Sequence, residues 1–161
     1  MTKVKRGTAN RWSDAGKDGV FFIPYSLLRH PNFTRLSPYG NKLIMDLSRQ
    51  FTGFNNGYQC ASWSLMKDAG WKSSGTLQLA CLECEHYGLI VRSQQGGLNR
   101  PTLYALTWRR VDHKPEKPLE IGQTVKPGSD WTKEVGPFDW RGKRESLKRK
   151  NSRPAKLKIA A

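Results

Sequence analysis

Three cysteines, Cys60, Cys81 and Cys84, are too few and too unevenly spaced for a disulfide framework in a chain of 161 residues. A reducing cytoplasm is therefore the expected compartment. Long apolar runs are missing. None approaches the ~18–20 residues of a membrane span, and Thr8 to Gly19 is polar where a signal peptide would carry its apolar stretch. Acidic side chains are scarce, 13 Asp+Glu against 28 Lys+Arg, for a formal charge of +15. That imbalance narrows the partners to polyanions, with nucleic acid ahead of an anionic membrane. Hydrophobic residues make up 37 %, below the ~45–50 % usual for globular domains. A single modest core with polar arms fits that deficit.

Sets of residues that carry chemistry are also missing. There is no glycine-rich phosphate loop ending in Gly-Lys-Ser or Gly-Lys-Thr. His30, His86 and His113 are scattered without metal-binding or triad spacing. Cys81 and Cys84, with His86 close behind, resemble half a zinc site. Such a site needs four ligands, usually in two pairs, and Cys60 and His113 do not make a second pair. On a helix Cys81 and Cys84 share the apolar face, where cysteine behaves as a small hydrophobe. Asp46, Asp68, Glu83 and Glu85 are expected on helix surfaces, and Glu83 and Glu85 point to different faces of one helix. No catalytic residue, metal or cofactor is assigned, and the chain is expected not to be an enzyme.

What is present is unevenly distributed. Residues 1–19 are polar and basic without hydrophobic period and read as a mobile arm. Residues 20–108 hold nearly all the long apolar side chains. From Arg109 onward Pro115, Pro118, Pro127, Pro137 and Pro154 punctuate a polar sequence with neither helix nor strand period. The expected organisation is a basic arm (1–19), a folded domain (20–108), a proline-punctuated connector (109–140) and a basic tail (141–161). Charge follows the same division: +7 over 1–108, zero over 109–140 and +8 over 141–161. A reading domain with a separate electrostatic arm is the implied design.

Within 20–108 the elements follow in an informative order. After the apolar run Val20–Ile23, one or two helical turns pass through Leu27 and Leu28. Ser37-Pro38 is a strong helix start, the serine accepting from free amides and the proline sitting where no N–H is needed. Leu36, Leu43, Leu47 and Phe51 then recur at helical spacing, with Ile44 and Met45 widening the apolar face. A turn at Gly53 and Asn55-Asn56-Gly57 leads to a minor strand at Tyr58–Ala61. Ser62 is read as the cap of a second helix, Trp63–Ala69, closed by Gly70. Ser73 or Ser74 caps a third helix running to Tyr87, stopped by Gly88. Leu89–Arg92 and Thr102–Trp108 read as a hairpin around the polar loop Ser93–Arg100.

Two short helices joined by a turn containing Gly70 match the helix-turn-helix arrangement, and a hairpin with a polar tip follows at once. The expected fold class is mainly α with a small β-hairpin (α+β): a winged helix-turn-helix domain with extended basic N- and C-terminal arms. Its third helix would enter the major groove, which is wide enough for an α-helix.

The segments Leu36-Ser37-Pro38-Tyr39-Gly40-Asn41-Lys42-Leu43, Asn55-Asn56-Gly57, Gly70-Trp71-Lys72-Ser73-Ser74-Gly75-Thr76-Leu77 and Gly88-Leu89-Ile90-Val91 carry a resemblance. So do Gln95-Gly96-Gly97-Leu98-Asn99-Arg100-Pro101 and Tyr104-Ala105-Leu106-Thr107-Trp108. Over residues 20–131 the chain resembles small winged helix-turn-helix proteins of bacterial prophages and integrated mobile elements. The resemblance implies DNA binding and no established reaction.

Candidate contacts cluster in three places. Lys72, Ser73, Ser74, Thr76 and Gln78 lie at the start of the third helix, where base-edge contacts are made in this motif. Ser73 and Ser74 serve equally well as caps, whereas the Gln78 amide suits adenine. In the hairpin, Arg92 and Arg100 bracket Gln94, Gln95 and Asn99, well placed for phosphates. In the tail, Arg141, Lys143, Arg144, Lys148, Arg149 and Lys150 form a basic block of the kind that binds nucleic acid. Against DNA stand Leu79 and Leu82, expected on the exposed face. They would pack on the N-terminal segment or, with Trp131 and Trp140, form a protein-binding patch. Phe138, Trp131 and Trp140 would otherwise dock on the domain or stack on bases.

The leading expectation is a double-stranded DNA-binding protein of a phage or mobile element, acting in transcriptional regulation or replication initiation. An interaction module for a host replication or defence protein on the same scaffold is the alternative. RNA binding ranks third.

Overall fold

Ser37 opens the longest of the early helices as its chemistry requires. In the computed structural model of the chain, which describes residues 20–98 and 100–152, Ser37 Oγ accepts from the Gly40 amide at 3.0 Å. Pro38 then begins α3, Pro38–Arg49, preceded by the single turns α1 (Tyr25–Leu28) and α2 (Pro31–Thr34). Leu43, Ile44 and Leu47 are fully buried on the inner face of α3, and Leu36 is nearly so. Met45, read as part of that face, is half exposed instead; it stands two positions from both Leu43 and Leu47, off their stripe.

Next come β1 (Gln59–Cys60), α4 (Trp63–Asp68), α5 (Ser74–His86), β2 (Ile90–Gln94) and β3 (Leu103–Leu106). The strands form one antiparallel sheet in the order β1-β3-β2, with Ile90 opposite Leu106, Arg92 opposite Tyr104 and Gln59 opposite Tyr104 on the other side. Strand β2 extends into the expected loop, where a bulge between Arg92 and Gln94 leaves Ser93 fully buried. Among the described residues the architecture is mixed α+β, six helices on a small three-stranded antiparallel sheet. The N-terminal arm 1–19, Asn99 and the tail residues 153–161 lie outside the described residues.

The connections obey their terminating residues. Gly70 adopts φ +87° between α4 and α5, a conformation costly for other residues. From α3, Lys42 Nζ donates to Ala69 O at 2.8 Å and pairs with Asp46 at 3.0 Å, while Trp71 Nε1 donates to Asp46 Oδ2 at 2.7 Å. The turn between α4 and α5 is thus bolted to α3 on both sides of its glycine. Gly88, at φ +67°, ends α5: its amide donates to Glu85 O and that of Leu89 to Cys84 O.

Beyond Arg109 the chain departs from the extended connector and shapeless tail. Residues 109–140 carry little regular structure, only a 3-10 turn at Asp130–Thr132, yet they lie on the domain. Two fully buried asparagines hold them. Asn56 Nδ2 donates to the carbonyls of Leu106, Arg109 and Arg110, while its Oδ1 accepts from Leu106 N. Asn32 Nδ2 donates to the carbonyls of Tyr87, Trp131 and Lys133, and its Oδ1 accepts from Val135 N. Phe138 is buried in the core, and Trp131, Val135 and Trp140 pack against it partly buried. The basic stretch that follows is helical, α6 (Trp140–Ser152). Its start is capped by Asp139, whose Oδ1 accepts from Gly142 N at 2.9 Å.

Candidate nucleic-acid interface

Helix α5 is buried on more than one side. Leu77, Ala80, Cys81 and Cys84 face the core, and burial pushes the Cys81 thiol up to about 12 and raises Cys84 too. Both are thus buried thiols set in the apolar core. Among the described residues no three of His, Cys, Asp and Glu gather as a metal site would require. Asp46 and Glu83, expected on helix surfaces, are buried, Glu83 at only 1 % exposure. Glu83 Oε1 accepts from Ser37 N at 2.9 Å and from Trp140 Nε1 at 2.9 Å, and Oε2 from Ser37 Oγ at 2.7 Å. Three donors replace the water that a buried carboxylate loses. The approach of α3 is close there: a Cβ on Gly40 would collide with Glu83 Oε2 and stand 2.7 Å from Leu36 Cδ2.

Leu79, expected to be exposed, is 2 % exposed. It lies beside Leu147 in the groove between α5 and α6. The helix on this side, α6, has no periodicity that announces it in sequence, so the pattern of α5 alone leaves Leu79 without a cover. Leu82 is partly buried against the core. Trp131 and Trp140 are likewise engaged with the chain's own core. The four residues therefore do not form one exposed patch.

What α5 leaves open is a ridge of Ser74 and Gln78, continued by the partly exposed Leu82 and Glu85 at successive helical turns. Ser73 caps the helix, its Oγ accepting from Thr76 N at 3.2 Å, while Ser74 is exposed as the first helical residue. Ser62, read as the cap of α4, makes no side-chain cap; its hydroxyl lies 3.2 Å from that of Ser64. Lys72 is exposed at the turn before α5.

Two clefts run beside the ridge, and Gln78 borders both. The first, about 330 Å³, separates the ridge from the hairpin and is walled by Trp63 of α4 and by Arg92, Gln95 and Thr102. Leu77, Cys81 and Tyr104 also line it. The second, about 390 Å³, separates the start of α5 from α6 and places Ser73, Thr76 and Gln78 across from Arg144 and Lys148. Trp63 and Thr102 escaped the sequence reading. In sequence Trp63 is only the first residue of a helix; it is 40 % exposed, and its place in the cleft depends on α4 lying beside the hairpin.

The hairpin cations are already paired. Arg92 donates to both Glu85 oxygens, at 2.8 and 3.2 Å, and to Gln95 Oε1 at 2.8 Å. Arg100 pairs with Glu120 at 2.7 Å, and Glu120 also accepts from Gln95 N. Glu120 of the connector thereby ties down the hairpin tip. Gln94 Nε2 donates to Pro101 O across the hairpin. Exposed pairs of this kind contribute ~0–1 kcal/mol, so exchanging a carboxylate for a phosphate is inexpensive. On α6, Arg141 stands 3.6 Å from Glu145, whereas Lys143, Arg144, Lys148, Arg149 and Lys150 make no ion pair among the described residues. No described helix is long and apolar enough to cross a membrane.

No family model, curated protein or solved structure matches the chain, so the functional reading rests on the arrangement of these side chains.

Proposed function

We propose that the chain is a double-stranded DNA-binding protein built as a winged helix-turn-helix module, with α4 and α5 as the motif and the β2–β3 hairpin as the wing. Its role is in transcriptional regulation or replication initiation, and the resemblance stated above favours a phage or mobile element as its setting. One observation carries the reading. Three residue sets far apart in sequence, at 73–78, 92–102 and 144–148, border two clefts that share Gln78. In this reading α5 presents Gln78 to base edges in the major groove. Arg92 and Gln95 on one side and Arg144 and Lys148 on the other take the phosphates that fix its register. Enzymatic chemistry is not part of the proposal.

Selection of the full chain on a random duplex pool at physiological salt is the test. Enrichment of a defined motif is expected, together with a linear fall of log K with log salt. Gln78→Ala is expected to lose about 1–3 kcal/mol of discrimination at one or two base pairs, with the salt slope little changed. Equal binding of all duplexes, with no protected site in footprinting, would sink the sequence-specific reading.

A further inference from the structure

We infer that α5 and α6 form one composite groove for a stretch of phosphodiester backbone, and that Glu83 and Trp140 are the positioning residues that keep the groove assembled. The inference rests on the duplex-binding reading and adds to it a specific seat for the strand and the parts that build that seat.

Helix α6 is anchored at its start. Its first residue, Trp140, donates its indole N–H to the buried Glu83 carboxylate at 2.9 Å. The same carboxylate takes the Ser37 amide and hydroxyl, so it joins the starts of α3 and α6 to the last turn of α5. One residue before the cap, Phe138 N donates to the Tyr87 hydroxyl at 3.0 Å. Seven residues on from Trp140, Leu147 returns to the same side of the helix and meets the groove beside Leu79. An indole bond at one end, and a partly buried leucine turned into the shared groove two turns later, set the position and the rotation of α6.

That rotation sorts its cations. Arg144 and Lys148 line the groove; Lys143, Arg149 and Lys150 do not. Arg144 and Lys148 stand four residues apart, a spacing at which like charges disfavour a helix, and neither has an ion pair among the described residues. Among the described residues no carboxylate lines the groove, and the facing wall offers the hydroxyls of Ser73 and Thr76 and the amide of Gln78. Two cations without an ion pair among the described residues, facing neutral hydrogen-bonding groups, suit a phosphodiester. Because Gln78 also borders the other cleft, a strand seated here runs beside the position proposed to read bases.

Salt dependence of binding by the full chain tests the inference, using a labelled random-sequence duplex of about three helical turns between roughly 50 and 200 mM salt. Arg144→Ala combined with Lys148→Ala is expected to lower the slope of log K against log salt by about 1.8, the loss of two phosphate contacts. The matched pair Arg149→Ala with Lys150→Ala should change it by much less. Trp140→Phe keeps an aromatic ring and loses the indole N–H. It should lower the slope in the same direction while leaving the selected base preference intact, a separation that mere loss of folding would not give. Equal slope changes for the two cation pairs would overturn the groove and leave duplex binding standing. Tighter binding by the Arg144/Lys148 variant would also overturn it, showing α6 to be a cover. An unchanged slope in Trp140→Phe would remove the positioning role. Absence of any salt-dependent duplex binding by the unmodified chain would refute the DNA-binding reading itself, and the groove with it.

Discussion

Asn56→Ala is expected to lower the unfolding free energy by about 3–5 kcal/mol, from the cost of leaving buried polar groups without partners. Asn56 has no exposed surface, and its side chain serves three carbonyls and one amide. Alanine takes a bond from all four and leaves a small void; the Leu106 carbonyl keeps the Arg109 amide at 3.2 Å, so the Leu106 amide is the group most exposed to the loss. Water can reach the carbonyls of Arg109 and Arg110, which are only partly buried, but not the Leu106 pair. Domains have only about 5–15 kcal/mol to lose, so the effect is a large fraction of the whole. Asn56→Asp keeps the shape yet aims a carboxylate at three carbonyls, and it should be at least as damaging. Urea denaturation followed by tryptophan fluorescence measures both. Asn41→Ala is the control, because exposed Asn41 makes only long bonds of 3.2 and 3.4 Å to its own helix start. A loss at Asn56 no larger than at Asn41 would mean that the 109–112 segment is held by something else. Asn32→Ala follows the same logic for residues 131–135.

Leu79 and Leu82 should respond very differently to lysine. At Leu79 the substitution puts an ammonium into the seam between α5 and α6 with no acid lining that groove. About 3–5 kcal/mol of stability is expected to be lost, or α6 to lift away so that the charge reaches water. Thermal unfolding gives the first outcome. Rapid tryptic cleavage within 141–150, ahead of the rest of the chain, gives the second. Leu82→Lys sits on the partly exposed ridge beside Gln78, where the stem can lie along apolar surface and the charge stay in solvent. Its cost should be about 1 kcal/mol or less, and the added cation should tighten binding to any duplex. Matching losses at the two positions would show that α6 does not cover Leu79.

Much of the chain is legible because its local signals agree with its fold. Ser37-Pro38, Gly70, Ser73 and Gly88 each have a local task, capping or a positive φ, that neighbouring residues cannot countermand. The helices and strands they bound fall within a residue or two of expectation. Beyond Arg109 the signals are of another kind. That segment is held by its own backbone carbonyls, bonded to Asn32 and Asn56 from far away in sequence. Asparagine in a polar setting reads as a turn former, and nothing local announces that it will be buried. In α6 only Trp140 and Leu147 carry the inner face, too sparse a pattern for helical periodicity to register. Missing α6 made Leu79 look exposed and Glu83 look like a surface acid. At the interface the residue types of α5 and the hairpin were readable, but their bringing together with Arg144 and Lys148 was not. The division of charge into two basic blocks does not make the second block a separate arm.

Side-chain and amide chemical-shift mapping of the full chain, with and without a selected duplex, tests whether these three segments act as one surface. The expected result is shifts at the Trp63 indole, the Gln78 and Gln95 side-chain amides, Thr102 and the amides of Arg144 and Lys148. Phe54, Tyr58 and Val125, which line neither cleft, should stay in place. Shifts centred on Phe54, Tyr58 and Val125, with Gln78 and Arg144 unmoved, would contradict the proposed interface.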